Sequence, residues 1–138
     1  MSKMKKRMLI IVCLVLLIGL GLGAKFLLDV QKYKEEVGAM KIGTLHLAEV
    51  SDGSYIGGYD ASLINAEVRV EVKNHQIINI ELIKHENGKG ESAESIIPQV
   101  IKAQSIQVDA ISGATNSSKV ILKSIELALE SEEKGIND

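Results

Sequence analysis

Three spacings of apolar residues divide this chain. From Met8 to Ala24 every position is uncharged and nearly all are apolar, and after Lys25 the run resumes as Phe26-Leu27-Leu28 before Asp29. From Ala66 to Lys73 the period is two: Ala66, Val68, Val70 and Val72 alternate with Glu67, Arg69, Glu71 and Lys73. Further on the spacing becomes helical, first with Ile96, Ile97, Val100 and Ile101, then with Val120, Ile121, Ile125, Ala128 and Leu129. The first pattern predicts a membrane-crossing helix, the second a strand with one wet face, and the third a pair of amphipathic helices.

These predictions give an order along the chain. As a helix, residues 8–28 reach about 31 Å at roughly 1.5 Å per residue, enough for a bilayer core. Residues 29–43, with Lys32 and Glu36 four apart, read as a helical stalk ending near Gly38 or Gly43. A short strand is expected over residues 44–50. Asp52-Gly53-Ser54 reads as a turn, and residues 55–60 as a glycine-broken strand. After the strand at 66–73, Asn74-His75-Gln76 turns the chain into a second strand with Ile78, Ile80 and Leu82 on one face, making a hairpin. Residues 84–91 form a polar loop, and 92–103 a helix. Pro98 lies past the first turn of that helix, so either the helix bends there or its regular part begins at Pro98. Residues 104–108 are a short extended link, and the charged residues 131–138 a fraying tail. The expected fold is α+β: a small antiparallel sheet covered by two helices and preceded by a single N-terminal transmembrane helix.

Charge adds a direction. Lys3, Lys5, Lys6 and Arg7 precede the apolar run, so residues 1–7 are expected in the cytoplasm, 8–28 in the membrane and the domain at 44–130 outside. A cleaved signal peptide shares this plan, but Gly21-Leu22-Gly23-Ala24 is a poor cleavage site, and an uncleaved anchor is expected. Of 16 basic and 18 acidic residues, five basic and no acidic ones fall in the first 25 positions; 11 basic against 18 acidic remain, a net charge of −7. That acidity, with no Trp, argues against nucleic-acid binding. The one cysteine, Cys13, sits mid-span, so there is neither an intrachain disulfide nor a thiolate metal site. His46, His75 and His85 have no metal-ligand spacing, and no nucleophile–base pair or paired-carboxylate motif marks a catalytic centre.

The chemistry is concentrated in Asp109-Ala-Ile-Ser-Gly-Ala-Thr-Asn-Ser-Ser118, a glycine-centred run of small hydroxyl residues leading into the last helical segment. A helix start offers unpaired N–H groups and the positive end of the dipole, which suits a phosphate. Gly113 and Ala114 would let a ligand approach the backbone, whereas Thr115, Ser117 and Ser118 are equally N-cap residues. Asp109-x-x-Ser112-Gly113-Ala114-Thr115 resembles the site that ApbE-type flavin transferases recognise in the FMN-binding domains of the family that includes the NqrC and RnfG subunits of bacterial redox pumps. The likeness extends from Gln104-Ser105 to Leu122 and looks like small membrane-anchored FMN-binding proteins over most of residues 51–130.

The resemblance implies FMN joined by a phosphoester to Thr115, with FAD as donor and a separate transferase that reads Asp109, Ser112, Gly113 and Ala114. Ser117 stands where many members have a second Thr and is a secondary candidate acceptor not expected to be used. Candidate contacts to the flavin ring are Tyr55 and Tyr59, the only aromatics of the presumed domain, together with His85, Gly88 and Gly90. The implied function is that of an electron carrier, not an enzyme: a flavoprotein anchored on the outer face of the membrane and fed by a membrane dehydrogenase or quinol. Two alternatives stand beside it. One is a non-redox exterior binding, sensory or accessory domain whose Ser-Gly-Ala-Thr is only a helix cap; the other is a redox subunit of a larger membrane oxidoreductase.

Overall fold

The computed structural model describes residues 2–86 and 90–136, with side chains through Ser131. Helix α1 (Lys3–Ala39) contains the apolar run and is long and apolar enough to cross a membrane. Its side chains from Met8 to Leu28 are exposed. The chain divides into two compact units, residues 1–34 and 35–138.

In the second unit, strands β1 (Gly53–Asp60), β2 (Asn65–Lys73) and β3 (Gln76–Glu86) form an antiparallel meander in the order β1-β2-β3. The period-two pattern of β2 puts Ala66, Val68, Val70 and Val72 into the core, opposite Ile77 and Ile80. The β2–β3 connection is the two-residue turn Asn74–His75, with φ of 51° and 59°, the backbone that matches strand twist in tight hairpins. His75 adopts the conformation that glycine or asparagine would take more easily. Its Nδ1 lies 3.1 Å from Val50 O, and Asp52 Oδ1 accepts from Asn74 N–H at 2.6 Å, so the hairpin tip is tied to the segment before β1.

Helices α2 (Ile96–Ala103) and α3 (Thr115–Ile136) cover one face of this sheet. Val120, Ile121, Ile125, Ala128 and Leu129 are buried, the stripe expected from their spacing. α2 contributes buried Ile96 and Val100. Helix α3 lies so close to β1 that a Cβ on Gly57 would stand 2.2 Å from Ala128 N and 2.4 Å from Ser124 O. The strand is therefore continuous through its glycines, and Gly57 is where the helix backbone rests. Ser124 ties the helix to β2 as well, donating to Ala66 O at 3.0 Å and sharing its hydrogen with Val120 O at 2.8 Å.

The chain leaving α1 is fastened to the same helix. Lys119 Nζ reaches Val37 O and Lys123 Nζ reaches Lys41 O, both at 3.5 Å. Gly43 N–H donates to the nearly buried Glu126 carboxylate at 3.1 Å, and Lys123 pairs with the other Glu126 oxygen at 3.0 Å. Gln107 Nε2 donates to Ile42 O and Gly43 O at 3.1 and 2.6 Å.

Six local expectations are corrected. Gly53 and Ser54, expected in a turn, are the first residues of β1. Residues 44–50 contain no strand; Leu47–Glu49 forms a single 3₁₀ turn instead. β3 continues through residues 84–86, which were read as loop. Register shifts beside Val72 and Val68 leave Ile78 and Ile83 as extra residues on β3. The first of these turns Ile78 outward, 53% exposed, and puts Ile77 in its place. The helix expected over 92–103 is a 3₁₀ segment (Glu91–Ser95) followed by α2, in which Pro98 is the third residue. There its missing N–H is one that a helix start leaves unpaired anyway. Finally, α3 runs on to Ile136, well into the residues read as a fraying tail.

Candidate functional site

The link from α2 to α3 is held at both ends by side chains. Gln104 closes α2 in the left-handed conformation, φ 52°. Its amide then imitates a strand partner on β3, accepting from Ile77 N–H at 2.7 Å and donating to Ile77 O at 2.8 Å and Ile101 O at 2.7 Å. Gln107 ties the middle of the link to the chain at Ile42–Gly43. Val108 is half-buried, whereas Asp109 and Ala110 are exposed.

A tight turn follows, Ile111–Ala114, closed by Ala114 N–H to Ile111 O at 2.9 Å. Gly113 occupies its third position with φ +79°, a backbone that L side chains rarely adopt. A Cβ there would meet nothing within 4 Å, so conformation and not space demands the glycine. Ala114 is 5% exposed: its small side chain packs inward and is not part of an open approach to the backbone.

Helix α3 begins at Thr115, which is exposed together with Ser112, Gly113 and Asn116. The residue before it is Ala114, which has no side-chain acceptor, so none of the hydroxyl residues occupies the cap position. Ser118 N–H, donating to Ala114 O at 2.9 Å, is the first to use the regular helical spacing. The N–H groups of Thr115, Asn116 and Ser117 lie ahead of it, at the positive end of a 22-residue helix. Ser117 and Ser118 both point inward, at 2% and 0% exposure. Ser118 Oγ donates to Ala114 O at 2.8 Å and accepts from Ile111 N–H at 3.0 Å, clasping both ends of the turn. Lys119, one turn along from Thr115, is directed at Val37 O. An open groove of about 530 Å³, lined by Gln99, Lys102, Ala103, Gln107, Val108 and Asp109, borders the motif.

The other residues singled out in the sequence are engaged separately. Tyr55 donates to Ser51 O at 2.8 Å, and Tyr59 to Glu36 Oε1 at 2.9 Å. Burial, then the hydrogen bond to Glu36 and its charge, raise the Tyr59 phenol above its ordinary pKa. Tyr59 lines a different pocket, of about 290 Å³, with Asp60, Asn65 and Lys84. The His85 side chain is 2% exposed and its Nδ1 lies 3.1 Å from Glu94 Oε1. Gly90 is buried ahead of the 3₁₀ segment, and Gly88 lies outside the described residues. Among the described residues no group of His, Cys, Asp or Glu is arranged to hold a metal ion. The anchoring roles of Gln104 and Gln107 and the clasp of Ser118 are not legible in the sequence. The glutamines carry little local signal, because apart from Ile101 their side-chain partners lie 27 and 64–65 residues away. By its place in the sequence Ser118 is only one more candidate cap.

The turn and the helix start fit a phosphate-bearing group. They offer an exposed hydroxyl, three N–H groups at the positive end of a long helix and a glycine turn beside them, with no carboxylate between Ser112 and Ser118. Fold and site together define a small α+β domain that presents a threonine hydroxyl beside an anion-favouring helix terminus. The chain belongs to the FMN-binding domain family, whose model matches residues 61–130, from just after β1 to the middle of α3. Among curated proteins none matches the chain.

Proposed function

We propose that this protein is a membrane-anchored flavoprotein that holds FMN covalently on Thr115 and carries electrons on the outer face of the cytoplasmic membrane. The observation that carries the reading is the contrast between two hydroxyls in one FMN-binding motif: Thr115 is exposed at the start of α3, whereas Ser117 is buried at 2%. Only the first is accessible to a second protein.

An aliphatic hydroxyl is a weak nucleophile unless a base or metal activates it, and the motif supplies neither at Thr115. An ApbE-type transferase using FAD meets that need. The Thr115 oxygen attacks the phosphorus on the FMN side of FAD, the bond to the bridging oxygen breaks, AMP leaves, and the hydroxyl proton passes to a base of the transferase. Asp109, Ser112 and Gly113 are exposed and form the surface such an enzyme reads; buried Ala114 acts through packing. The first-turn N–H groups of α3 would hold the phosphate after transfer, and the groove beside Asp109, within the usual size of small-molecule sites, would give the ring room. Bound flavin supplies the capacity to take electrons singly or in pairs. Outside the membrane a dissociated cofactor would be lost by diffusion, and a covalent tether keeps it at high effective concentration. A membrane dehydrogenase or quinol is the electron donor.

The test is the intact mass of the full chain, solubilised in detergent and denatured, after co-expression with an active ApbE-type transferase. The expected result is a mass increase equal to FMN less water, with colour that survives denaturation and is absent from Thr115→Ala. An unmodified wild-type chain beside a flavinylated control acceptor overturns the reading.

A further inference from the structure

We infer that Ser118 is a positioning residue for flavinylation: its hydroxyl locks the turn Ile111–Ala114 in the shape that the transferase binds. The inference rests on the proposed attachment to Thr115 and goes beyond the residues that the motif itself names.

The geometry is specific to this hydroxyl. Ser118 is fully buried, yet its oxygen takes a hydrogen from the main chain before the turn, Ile111 N–H at 3.0 Å, and gives one to the main chain after it, Ala114 O at 2.8 Å. Its donor and acceptor capacities thus join the two residues that the turn's own bond also joins, Ala114 N–H to Ile111 O at 2.9 Å. The three bonds close a small ring around Ser112 and Gly113. Such a ring is needed because Gly113, with no Cβ and open space around it, has many competing conformations. A hydroxyl on the first turn of α3 removes that freedom without touching the exposed surface. Thr115 follows the same ring directly, so the clasp sets where its backbone leaves the turn.

Neighbouring serines separate this role from ordinary burial. Ser117 is equally hidden but makes no comparable clasp. Ser124 is 0% exposed and donates to two carbonyls, but those belong to β2 and to α3 itself. Ser124→Ala therefore removes a buried hydroxyl of similar standing and leaves the turn alone.

When the binding-competent shape is only a fraction of the population, apparent affinity falls by that fraction, while the bound complex reacts as before. The transferase makes the same bond in either case: phosphoester formed at Thr115 Oγ, FAD phosphoanhydride broken, AMP released. The loss thus falls on KM and not on kcat.

The experiment measures initial rates of flavin incorporation into the detergent-solubilised full chain, with FAD and an ApbE-type transferase, over a range of acceptor concentration. Acceptors are wild type, Ser118→Ala and Ser124→Ala. Ser118→Ala is expected to raise KM for the acceptor by about tenfold with kcat within about twofold of wild type, and Ser124→Ala to leave both unchanged. Hydrogen exchange at the Ile111 amide should quicken in Ser118→Ala alone. A KM within twofold of wild type in a folded Ser118→Ala protein, or an equal rise in Ser124→Ala, overturns the inference. If Ser118→Ala does not fold, Ser118→Cys, which keeps the volume but bonds weakly, is held to the same criteria. Failure of wild type to accept flavin sinks the attachment reading as well, whereas normal flavinylation of every variant sinks only the role of Ser118.

Discussion

At the scale of single residues, small polar side chains in one short stretch do unlike things because the fold turns them in different directions. Thr115 faces solvent, Ser117 faces the core, and Ser118 bonds back to the turn. In the sequence all three were candidate caps, since a hydroxyl near a helix start is compatible with every one of these roles; which face of α3 docks on the sheet decides among them. Tyr59 makes a similar point, having been a candidate for the flavin ring. Its hydroxyl donates to Glu36, and its raised pKa follows from burial and that carboxylate. The folded protein therefore keeps this proton after the unfolded chain has begun to lose it, at about pH 10. The contribution of Tyr59 is fully present below that pH and falls as pH rises through the folded-state value. Urea denaturation at about pH 9 and about pH 11 should show a loss of stability that is smaller in Tyr59→Phe. An unchanged alkaline loss in the variant would remove Tyr59 as its source.

At the scale of elements, the packing of α3 on β1 depends on one missing side chain. A Cβ at Gly57 would lie within 2.6 Å of three backbone atoms of α3, which cannot give way as a side-chain end can. Gly57→Ala should lift the helix and lower the stability of the domain by about 3 kcal/mol, read as a reduced denaturant midpoint. Gly58→Ala is the control, since the nearest atoms to its Cβ would be Ala66 O at 3.3 Å and the Glu67 side chain at 3.7 Å. Equal losses in the two would mean that general loss of strand glycine, not the contact with α3, sets the cost. The hairpin and the apolar stripes of α2 and α3 were legible because period-two and helical patterns record burial directly. The bulge at Ile78, the 3₁₀ turn at Leu47–Glu49 and the position of Pro98 in α2 were not. A bulge shifts which residues face inward without changing composition, and a proline is tolerated or disruptive according to where the helix begins.

At the scale of the whole molecule, the apolar helix and the basic residues before it suit a protein fixed in a membrane with its domain outside, and the net charge of −7 falls on the residues beyond position 25. Protease added to spheroplasts expressing the full chain should digest the domain and spare a membrane-resistant fragment containing α1. Protection until the membrane is opened would reverse the orientation. The sequence by itself determined what depends on local order: an apolar run long enough to span a bilayer, a hairpin, two amphipathic helices and a motif whose resemblance to FMN-binding domains the family match upholds. Only the tertiary structure decided what depends on residues far apart in the chain. It set Gly57 under the backbone of α3, anchored Gln104 to β3, joined Gly43 to Glu126 across 83 positions, and exposed Thr115 while hiding Ser117. The physical reason is that propensity and periodicity act over a few residues, whereas exposure and close backbone contact are properties of packed surfaces, set only when helix and sheet meet.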